Sequence, residues 1–183
     1  MSVHNSLTTL FQPGDVVEVR VLDAPKVGVV AGYFNDWQTL AEAVKDYDGK
    51  SNVYVTMNPV NPALLARAAN KLVIKPKHAT TDADTTRRRW FLVDLDPVRP
   101  AGIAASDEEK AAALERARQI YRWLKEQGWP EPVVADSGNG YYLLYRIDLP
   151  NDNATRDLIQ ACLQALSLRF DDERVTVDTS VYN

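Results

Sequence analysis

The sequence predicts an α+β protein built from two units. The first observation is the order of elements after residue 86, where a strand, a long helix, two strands, a second helix and a last strand follow one another. The second is the set of short apolar strands before residue 87, which brief helices and loops interrupt. Hydrophobic residues make up 45% of 183 residues, enough for one substantial core or two smaller ones. We therefore predict an N-terminal α/β unit over residues 1–86 and a second unit over residues 87–183.

Alternating and apolar runs predict the strands of the N-terminal unit. They lie at residues 16–22, 27–34 and 52–57. Asp36 is a good N-cap for a helix with the sequence WQTLAEAV. A short helix is predicted from Pro62, because proline suits the first turn of a helix. The polar stretch KPKHATTDADTT has no periodicity and is typical of a loop.

The second unit has clearer signals. Ser106 and Glu109 form a capping box, which predicts the start of an amphipathic helix that runs to Gly128. SGNG predicts the turn of a hairpin. A second helix is predicted from Asn153 to Phe170, burying Leu158, Ile159, Cys162, Leu163 and Leu166. The strands are WFLVDLD at 90–96, PVVAD at 132–136, YYLLYRI at 141–147 and RVTVD ending at Asp178.

This order of elements, βαββαβ, is that of ferredoxin-like and RRM-like folds. The strand order there is 4-1-3-2, so the first strand lies between the third and the fourth. Side chains alternate across a strand, so Leu92, Asp94 and Asp96 share one face. The opposite face, with Phe91, Val93 and Leu95, is predicted to pack on the helices.

Three carboxylates are therefore predicted to converge at one edge of the open face. Asp178 ends the strand next to Asp94 and Asp96, and Tyr142 and Arg146 lie on the third strand. Carboxylates so close repel each other and raise each other's pKa, unless a divalent cation lies among them. The pattern predicts a metal site.

Two local alternatives stay open. The chain has three Asp-x-Asp triplets, and only the one at Asp94 and Asp96 follows a buried strand. The alternative to a metal site is that Asp94 and Asp96 are surface residues that form ion pairs with Arg88 or Arg99. SGNG is either an ordinary tight turn or a backbone that presents N–H groups to a phosphate.

Charge is unevenly distributed along a chain with a net charge of -4. Residues 62–100 contain eight lysines and arginines and only four aspartates, whereas residues 101–183 contain nine basic and fourteen acidic residues. A polyanion is therefore predicted to prefer the middle of the chain, the alternative being a solvated basic loop. No apolar run reaches the length of a membrane span, and no signal peptide is recognisable. Cys162 is the single cysteine, so no disulfide framework is possible. We therefore expect a cytoplasmic protein with no membrane partner.

Three segments carry a resemblance to a known family. RRRWFLVDLDPVRPAG, SGNGYYLLYRI and VDTSVYN, in this order and spacing, resemble the catalytic motifs of the archaeo-eukaryotic primase superfamily, in particular the primase-polymerase domains of phages, plasmids and other mobile elements. FQPGDVVEVRVL, AGYFND and NVYVTMNPV are similar to the part that precedes those motifs. The resemblance spans nearly the whole chain. It implies an RRM-like catalytic palm packed with the N-terminal α/β unit.

The activity implied by this resemblance is DNA primase or polymerase activity, the metal-dependent addition of NTP or dNTP to a primer or an initiating nucleotide on a DNA template. Asp94 and Asp96 match the metal ligands and Asp178 the third carboxylate of a site for two Mg²⁺ or Mn²⁺ ions. Ser137 matches the serine that contacts the nucleotide's phosphates. The expected nucleotide-binding residues are Ser137, Gly138, Asn139, Gly140, Tyr142 and Arg146. The residues expected to contact template phosphates are Lys71, Lys75, Lys77, Arg87, Arg88 and Arg89.

The sequence departs from the family at two places. Tyr142 stands where the middle motif ends in histidine, and the chain stops at Asn183, where the family continues with further sheet and often a helicase. We therefore expect a C-terminally truncated piece, with a helicase domain or subunit as a candidate partner.

Two other functions remain open. The first is a weakened or inactive primase-like module that binds nucleic acid or nucleotide, with Tyr33, Tyr54 and Trp90 as candidates for stacking on bases. The second is a glycosyltransferase that uses Asp-x-Asp to hold a nucleotide-sugar, although this chain offers little room for a donor-binding domain.

Overall fold

The structure is a computed structural model that describes residues 2–182. The chain is a mixed α+β protein and divides into two compact units, Met1–Arg88 and Arg89–Asn183. Each unit contains one four-stranded sheet, and one strand, β5 Arg87–Pro97, begins at the end of the first unit and continues into the second. Over the described residues, no helix has the length and apolar character needed to cross a membrane.

The first unit packs two short helices against one face of its sheet. Its helices and strands are α1 Val3–Leu10, β1 Val17–Ala24, β2 Gly28–Phe34, α2 Trp37–Val44, β3 Asn52–Val55 and β4 Val73–Ile74, with 3-10 helices at Lys45–Tyr47, Pro62–Arg67 and Asp82–Asp84. The strands have the order β3-β1-β2-β4. Val17 and Val19 of β1 are fully buried against Leu7 and Leu40 of the helices.

The second unit has the predicted strand order. Its elements are β5 Arg87–Pro97, α3 Asp107–Glu126, β6 Val133–Asp136, β7 Tyr141–Pro150, α4 Asn153–Phe170 and β8 Val175–Val177. The sheet runs β6-β7-β5-β8, which is 4-1-3-2 read from the other edge. Strand β5 pairs with β8, and β6 with β7, in antiparallel fashion.

The core of the second unit lies between the sheet and its two helices. Ser106 and Glu109 form the predicted capping box, and Asp152 caps α4. The predicted inward face of β5 is confirmed, since Phe91, Val93 and Leu95 are buried with α3 and α4 residues. Each large aliphatic side chain buried in this way contributes about 1.5 to 3 kcal/mol.

The structure corrects several local predictions. Helix α1 and strand β4 were not predicted, and the helix that begins at Pro62 is a 3-10 helix. β3 ends at Val55, β7 continues to Pro150, and the loop after β4 contains one 3-10 turn, Asp82–Asp84. Leu158 is 54% exposed because it lies beside the buried stripe of Ile159, Leu163 and Leu166.

Tyr145 carries a polar atom into this core. Its side chain is 1% exposed and packs edge-on against Trp129, with ring centroids 5.2 Å apart. Burial raises the pKa of the Tyr145 hydroxyl, and among residues 2–182 that hydroxyl has no hydrogen-bond partner. An unsatisfied buried hydroxyl destabilises the folded state.

We therefore expect Tyr145→Phe to raise the free energy of unfolding by about 1 kcal/mol, because the ring contacts stay and the unsatisfied hydroxyl is removed. Urea unfolding measures the change. The control is Tyr121→Phe, which removes a hydroxyl that donates to Glu131 at 2.8 Å and accepts from Lys125 at 2.9 Å, and which is expected to bring no gain. A loss of stability in Tyr145→Phe would show that the hydroxyl is satisfied in solution.

Candidate functional site

Strand β5 places Asp94 and Asp96 on the face opposite the core. Burial alternates along the strand, with Val93 and Leu95 fully buried and both aspartates partly exposed. Leu95 pairs with Val177, so β8 runs beside the two aspartates. The shared face was predicted from the two-residue period of a strand.

Asp178 is brought to the same place by the end of β8. Its backbone N–H donates to the carbonyl oxygen of Asp94 at 2.9 Å. One oxygen of its side chain, Oδ1, accepts a hydrogen bond from Ser180 N at 2.7 Å, which fixes the carboxylate in a turn. The third carboxylate of the predicted cluster therefore lies next to the first.

The pKa of Asp94 is raised by its burial and by the two neighbouring carboxylates. Burial, followed by the charges of Asp96 and Asp178, raises the pKa of Asp94 to about 7, against a small lowering by the backbone of Leu95. Asp94 Oδ1 is buried and has no hydrogen-bond partner among the described residues. A buried carboxylate oxygen with no partner, beside two further carboxylates, suits a divalent cation.

The side chains of Asp94, Asp96 and Asp178 are near each other but are not arranged as the ligands of a metal ion. Over residues 2–182, no three Asp, Glu, His or Cys side chains are gathered closely enough to count as a metal cluster. In the same range, none of the three aspartates forms an ion pair. Arg99, which the surface alternative pairs with them, donates instead to the carbonyl oxygen of Ile103. Among the described residues, the predicted alternative in which Arg99 pairs with these aspartates is therefore not observed.

Gly140 lets β7 approach this cluster. A Cβ on Gly140 would lie 2.1 Å from the carbonyl oxygen of Leu95 and 3.0 Å from Asp96 Oδ1. No other residue fits so close to a backbone oxygen without moving the strand. The sequence motif assigned Gly140 a role at the phosphates and did not reveal this close approach, which only the pairing of strands distant in sequence creates.

The SGNG loop is closed by its own hydrogen bonds. Gly138 N donates to Asp136 Oδ1 at 2.7 Å, Gly140 N to Ser137 Oγ at 2.8 Å, and Ser137 N to Gly140 O at 3.1 Å. These three N–H groups already have acceptors in this conformation. The Ser137 hydroxyl, which accepts from Gly140, still has a proton to donate.

Two contacts that were not predicted hold this loop to the helical side of the unit. Lys110 Nζ lies 3.0 Å from Asp136 Oδ2, and Asn139 Oδ1 accepts a hydrogen bond from Ala105 N at 3.0 Å. The hydrogen bond from Lys110 holds the pKa of Asp136 below its usual value. Both partners lie more than 20 residues away in sequence, where no local pattern reveals them.

The third strand supplies the other predicted nucleotide-binding residues. Tyr142 is half-buried and pairs with Ala135 in the hairpin. Arg146 is exposed, and its guanidinium lies 5.5 Å from the centroid of the Trp90 ring. Stacking on an aromatic ring orients an arginine while leaving its N–H groups available to an anion.

The six basic residues predicted to contact a template differ in their exposure to solvent. Lys71, Lys75 and Lys77 are exposed in the first unit. Arg88 is only 6% exposed, and Arg87 and Arg89 are half-buried. The exposed positive charge of this set therefore lies mainly with the lysines.

The candidate stacking aromatics also differ. Tyr33 and Trp90 are 3% and 4% exposed, whereas Tyr54 is 54% exposed. Only Tyr54 of the three therefore offers a face to a base. Cys162 is half-buried against the core, and burial raises the pKa of its thiol, in agreement with the structural role predicted for it.

Comparison of the chain with known protein families, with characterised proteins and with solved structures finds no match.

The pKa of Asp94 makes a prediction about stability. The folded value of about 7 lies above the unfolded value of 3.8, so the folded state holds a proton that the unfolded state releases between these pH values. Without metal, the protein is therefore expected to lose stability as pH rises from about 4 to about 7. Allowing for solvent around a partly exposed group, the loss is on the order of 2 kcal/mol.

Urea unfolding in EDTA at pH 5 and pH 8 measures this effect. Asp94→Asn is expected to be more stable than the wild type at pH 8, with a smaller difference at pH 5. Asp48→Asn, at an exposed carboxylate outside the cluster, is the matched control. Equal pH dependence in the wild type and Asp94→Asn would contradict the proposed repulsion within the cluster.

Proposed function

We propose that the chain is a metal-dependent nucleotidyltransferase of the primase-polymerase kind, which adds nucleotides to a primer or an initiating nucleotide on a DNA template in the cytoplasm. The observation that carries the proposal is the buried, unpartnered Oδ1 of Asp94 beside Asp96 and Asp178. The strand order β6-β7-β5-β8 supports an RRM-like palm as its scaffold.

Asp94, Asp96 and Asp178 are the residues that would hold Mg²⁺ or Mn²⁺. A pair of such ions lowers the pKa of an attacking hydroxyl and stabilises the departing pyrophosphate. The carboxylates bring the required negative charge, and burial of Asp94 disfavours leaving that charge unneutralised.

The protein's own residues are assigned to binding the nucleotide. The Ser137 hydroxyl donates to a phosphate oxygen, while its acceptor bond from Gly140 N orients it. Arg146, stacked on Trp90, supplies a charged donor to the triphosphate. Tyr142, on the same strand as Arg146, donates one neutral hydrogen bond to a phosphate oxygen.

A second function, binding of nucleotide or nucleic acid without synthesis, is favoured by two observations. Tyr142 is uncharged at neutral pH, and the amides of Ser137, Gly138 and Gly140 already have acceptors. Both features reduce the number of groups available to stabilise charge on a transferring phosphate.

One experiment separates the two functions. The protein is incubated with a primed and an unprimed DNA template, with Mg²⁺ or Mn²⁺, and with ribonucleotides or deoxyribonucleotides in separate reactions. We expect labelled primers to be extended only when a divalent cation is present. Saturable nucleotide binding without extension or priming under every condition would assign the chain to the binding class.

Tyr142 gives a further prediction. Tyr142→His is expected to increase nucleotide affinity or the extension rate by roughly fivefold, because a charge-assisted hydrogen bond contributes about 1 kcal/mol more than a neutral one. Histidine carries its charge below a pKa of about 6.5, so the gain is larger at pH 6.5 than at pH 8. Single-nucleotide extension kinetics at both pH values measure it, with Tyr141→His as the control. An unchanged rate in Tyr142→His would show that tyrosine is an equivalent ligand.

A further inference from the structure

A cavity in the first unit lies outside the cluster of aspartates. It has a volume of about 350 Å³, and all of its lining residues fall between Glu18 and His78. Its apolar wall comes from the sheet and the segment after the 3-10 helix, at Ala31, Ala68 and Val73. Ligand pockets in proteins typically have about 300 to 1,000 Å³, so the cavity has room for one small molecule or one nucleotide unit.

Positive groups line the opening of the cavity. They are Arg67, Lys75 and Lys77, all exposed. Over the described residues, neither Lys75 nor Lys77 forms an ion pair. Arg67 Nη1 lies 3.4 Å from Tyr33 Oη, which directs the guanidinium toward the buried ring of Tyr33 at the wall.

The acidic groups near the cavity are already engaged. Glu18 is 3% exposed, with Oε1 at 3.1 Å from Arg20 Nε and Oε2 accepting from Thr80 N at 3.1 Å. Asp84, which feels the charge of Arg67, accepts hydrogen bonds from Thr81. The charges left for a ligand are therefore the positive ones.

Lys75 is held at the opening by an unusual backbone conformation. Its φ is +51°, in the left-handed region that favours glycine, and its N–H donates to Val29 O at 2.9 Å. A residue other than glycine, aspartate or asparagine at such a φ is uncommon and strained. Glycine would relieve this strain, whereas lysine places an ammonium group beside the cavity.

We infer that this cavity binds one phosphorylated nucleotide unit, either within a single strand of nucleic acid or as a free nucleotide. The lysines and Arg67 take the phosphate, and the apolar wall takes the sugar or the base. The choice of a nucleotide over other phosphate esters rests on the proposed function. The cavity itself contains no residue of the proposed catalytic cluster.

The test compares two lysines with the same backbone conformation. Lys26 has a φ of +68°, is exposed, and does not line the cavity. Lys75→Gly and Lys26→Gly therefore each remove one charge and relieve the same kind of strain. Binding of a labelled single-stranded oligonucleotide is measured by fluorescence anisotropy in EDTA, with Asp94→Asn and Asp96→Asn in every protein so that the proposed metal site does not contribute.

We expect Lys75→Gly to weaken oligonucleotide binding at least fivefold and to reduce the slope of log affinity against log salt by about 0.7, the value for one phosphate of a single strand. Lys26→Gly is expected to stay within twofold of its parent. Competition by a nucleoside monophosphate, but not by inorganic phosphate, would identify a free nucleotide as a ligand, and its absence would identify the strand. Equal affinities for the two glycine variants, or no binding by the parent, would overturn the inference.

The outcome is separable from that of the proposed function. Oligonucleotide binding is read in EDTA, and primer extension by the wild type is read with Mg²⁺ or Mn²⁺. Extension without cavity binding would overturn this inference alone. Cavity binding without extension would overturn the proposed catalytic function alone.

Discussion

Replacing both Asp94 and Asp96 with asparagine is expected to abolish primer extension, with a loss of at least about 1,000-fold. Two of the three proposed cation ligands lose their charge, and metal-dependent phosphoryl transfer depends on that charge to hold the ions. The fold is expected to survive, because both side chains lie on the face of β5 opposite the core. In EDTA at pH 8 the variant is expected to be more stable than the wild type, because carboxylate repulsion is relieved.

The chain provides its own control for this experiment. Asp46 and Asp48 form another Asp-x-Asp triplet, at an exposed turn after α2. Changing both to asparagine alters net charge by the same amount and is expected to leave extension within about twofold. Primer extension and urea unfolding are measured on both double variants. Normal extension by the Asp94 and Asp96 variant would remove these residues from the catalytic assignment.

Gly140→Ala is expected to have the second largest effect. The added Cβ would lie 2.1 Å from Leu95 O and 3.0 Å from Asp96 Oδ1, so β7 and β5 must separate beside the cluster. Overpacking against a backbone atom destabilises by about 3 kcal/mol, since a backbone oxygen cannot rotate away as a side chain does. We expect that loss of stability together with loss of extension, because Asp96 is displaced.

Gly138→Ala is the matched control in the same loop. Gly138 has a φ of +91°, and a Cβ added there would have no atom within 4 Å, so alanine costs only backbone strain, about 1 kcal/mol. Chemical denaturation of both variants gives the comparison. If Gly140→Ala is no less stable than Gly138→Ala, the close approach of the two strands is not present in solution.

Much of the second unit was predictable because its signals are local. The capping box at Ser106 and the periodicity of Ile159, Leu163 and Leu166 marked both long helices. In the first unit, α1 contains Thr and Asn, which are weak helix formers, and β4 is only two residues long. Such elements depend on tertiary contacts, such as the burial of Leu7, and a local pattern does not reveal them.

The candidate site was also predictable where its signals are local, and not where it depends on contacts between distant segments. The two-residue period of β5 placed Asp94 and Asp96 on one face, and the strand order brought Asp178 beside them. The closeness of Gly140 to Leu95, the Lys110 and Asp136 ion pair, and the burial of Glu18 all arise between segments distant in sequence. Pairing of segments, not composition, decides these contacts.

Titration of the wild-type protein with Mn²⁺, followed by water-proton relaxation at pH 6 and pH 8, tests the proposed metal site most directly. We predict saturable binding that weakens at pH 6, where protons compete for a carboxylate whose pKa is raised to about 7, and that is lost in Asp94→Asn. The Asp46 and Asp48 double variant is expected to bind Mn²⁺ as the wild type does. Equal Mn²⁺ binding by Asp94→Asn and the wild type would contradict the assignment of Asp94, Asp96 and Asp178 as a metal site.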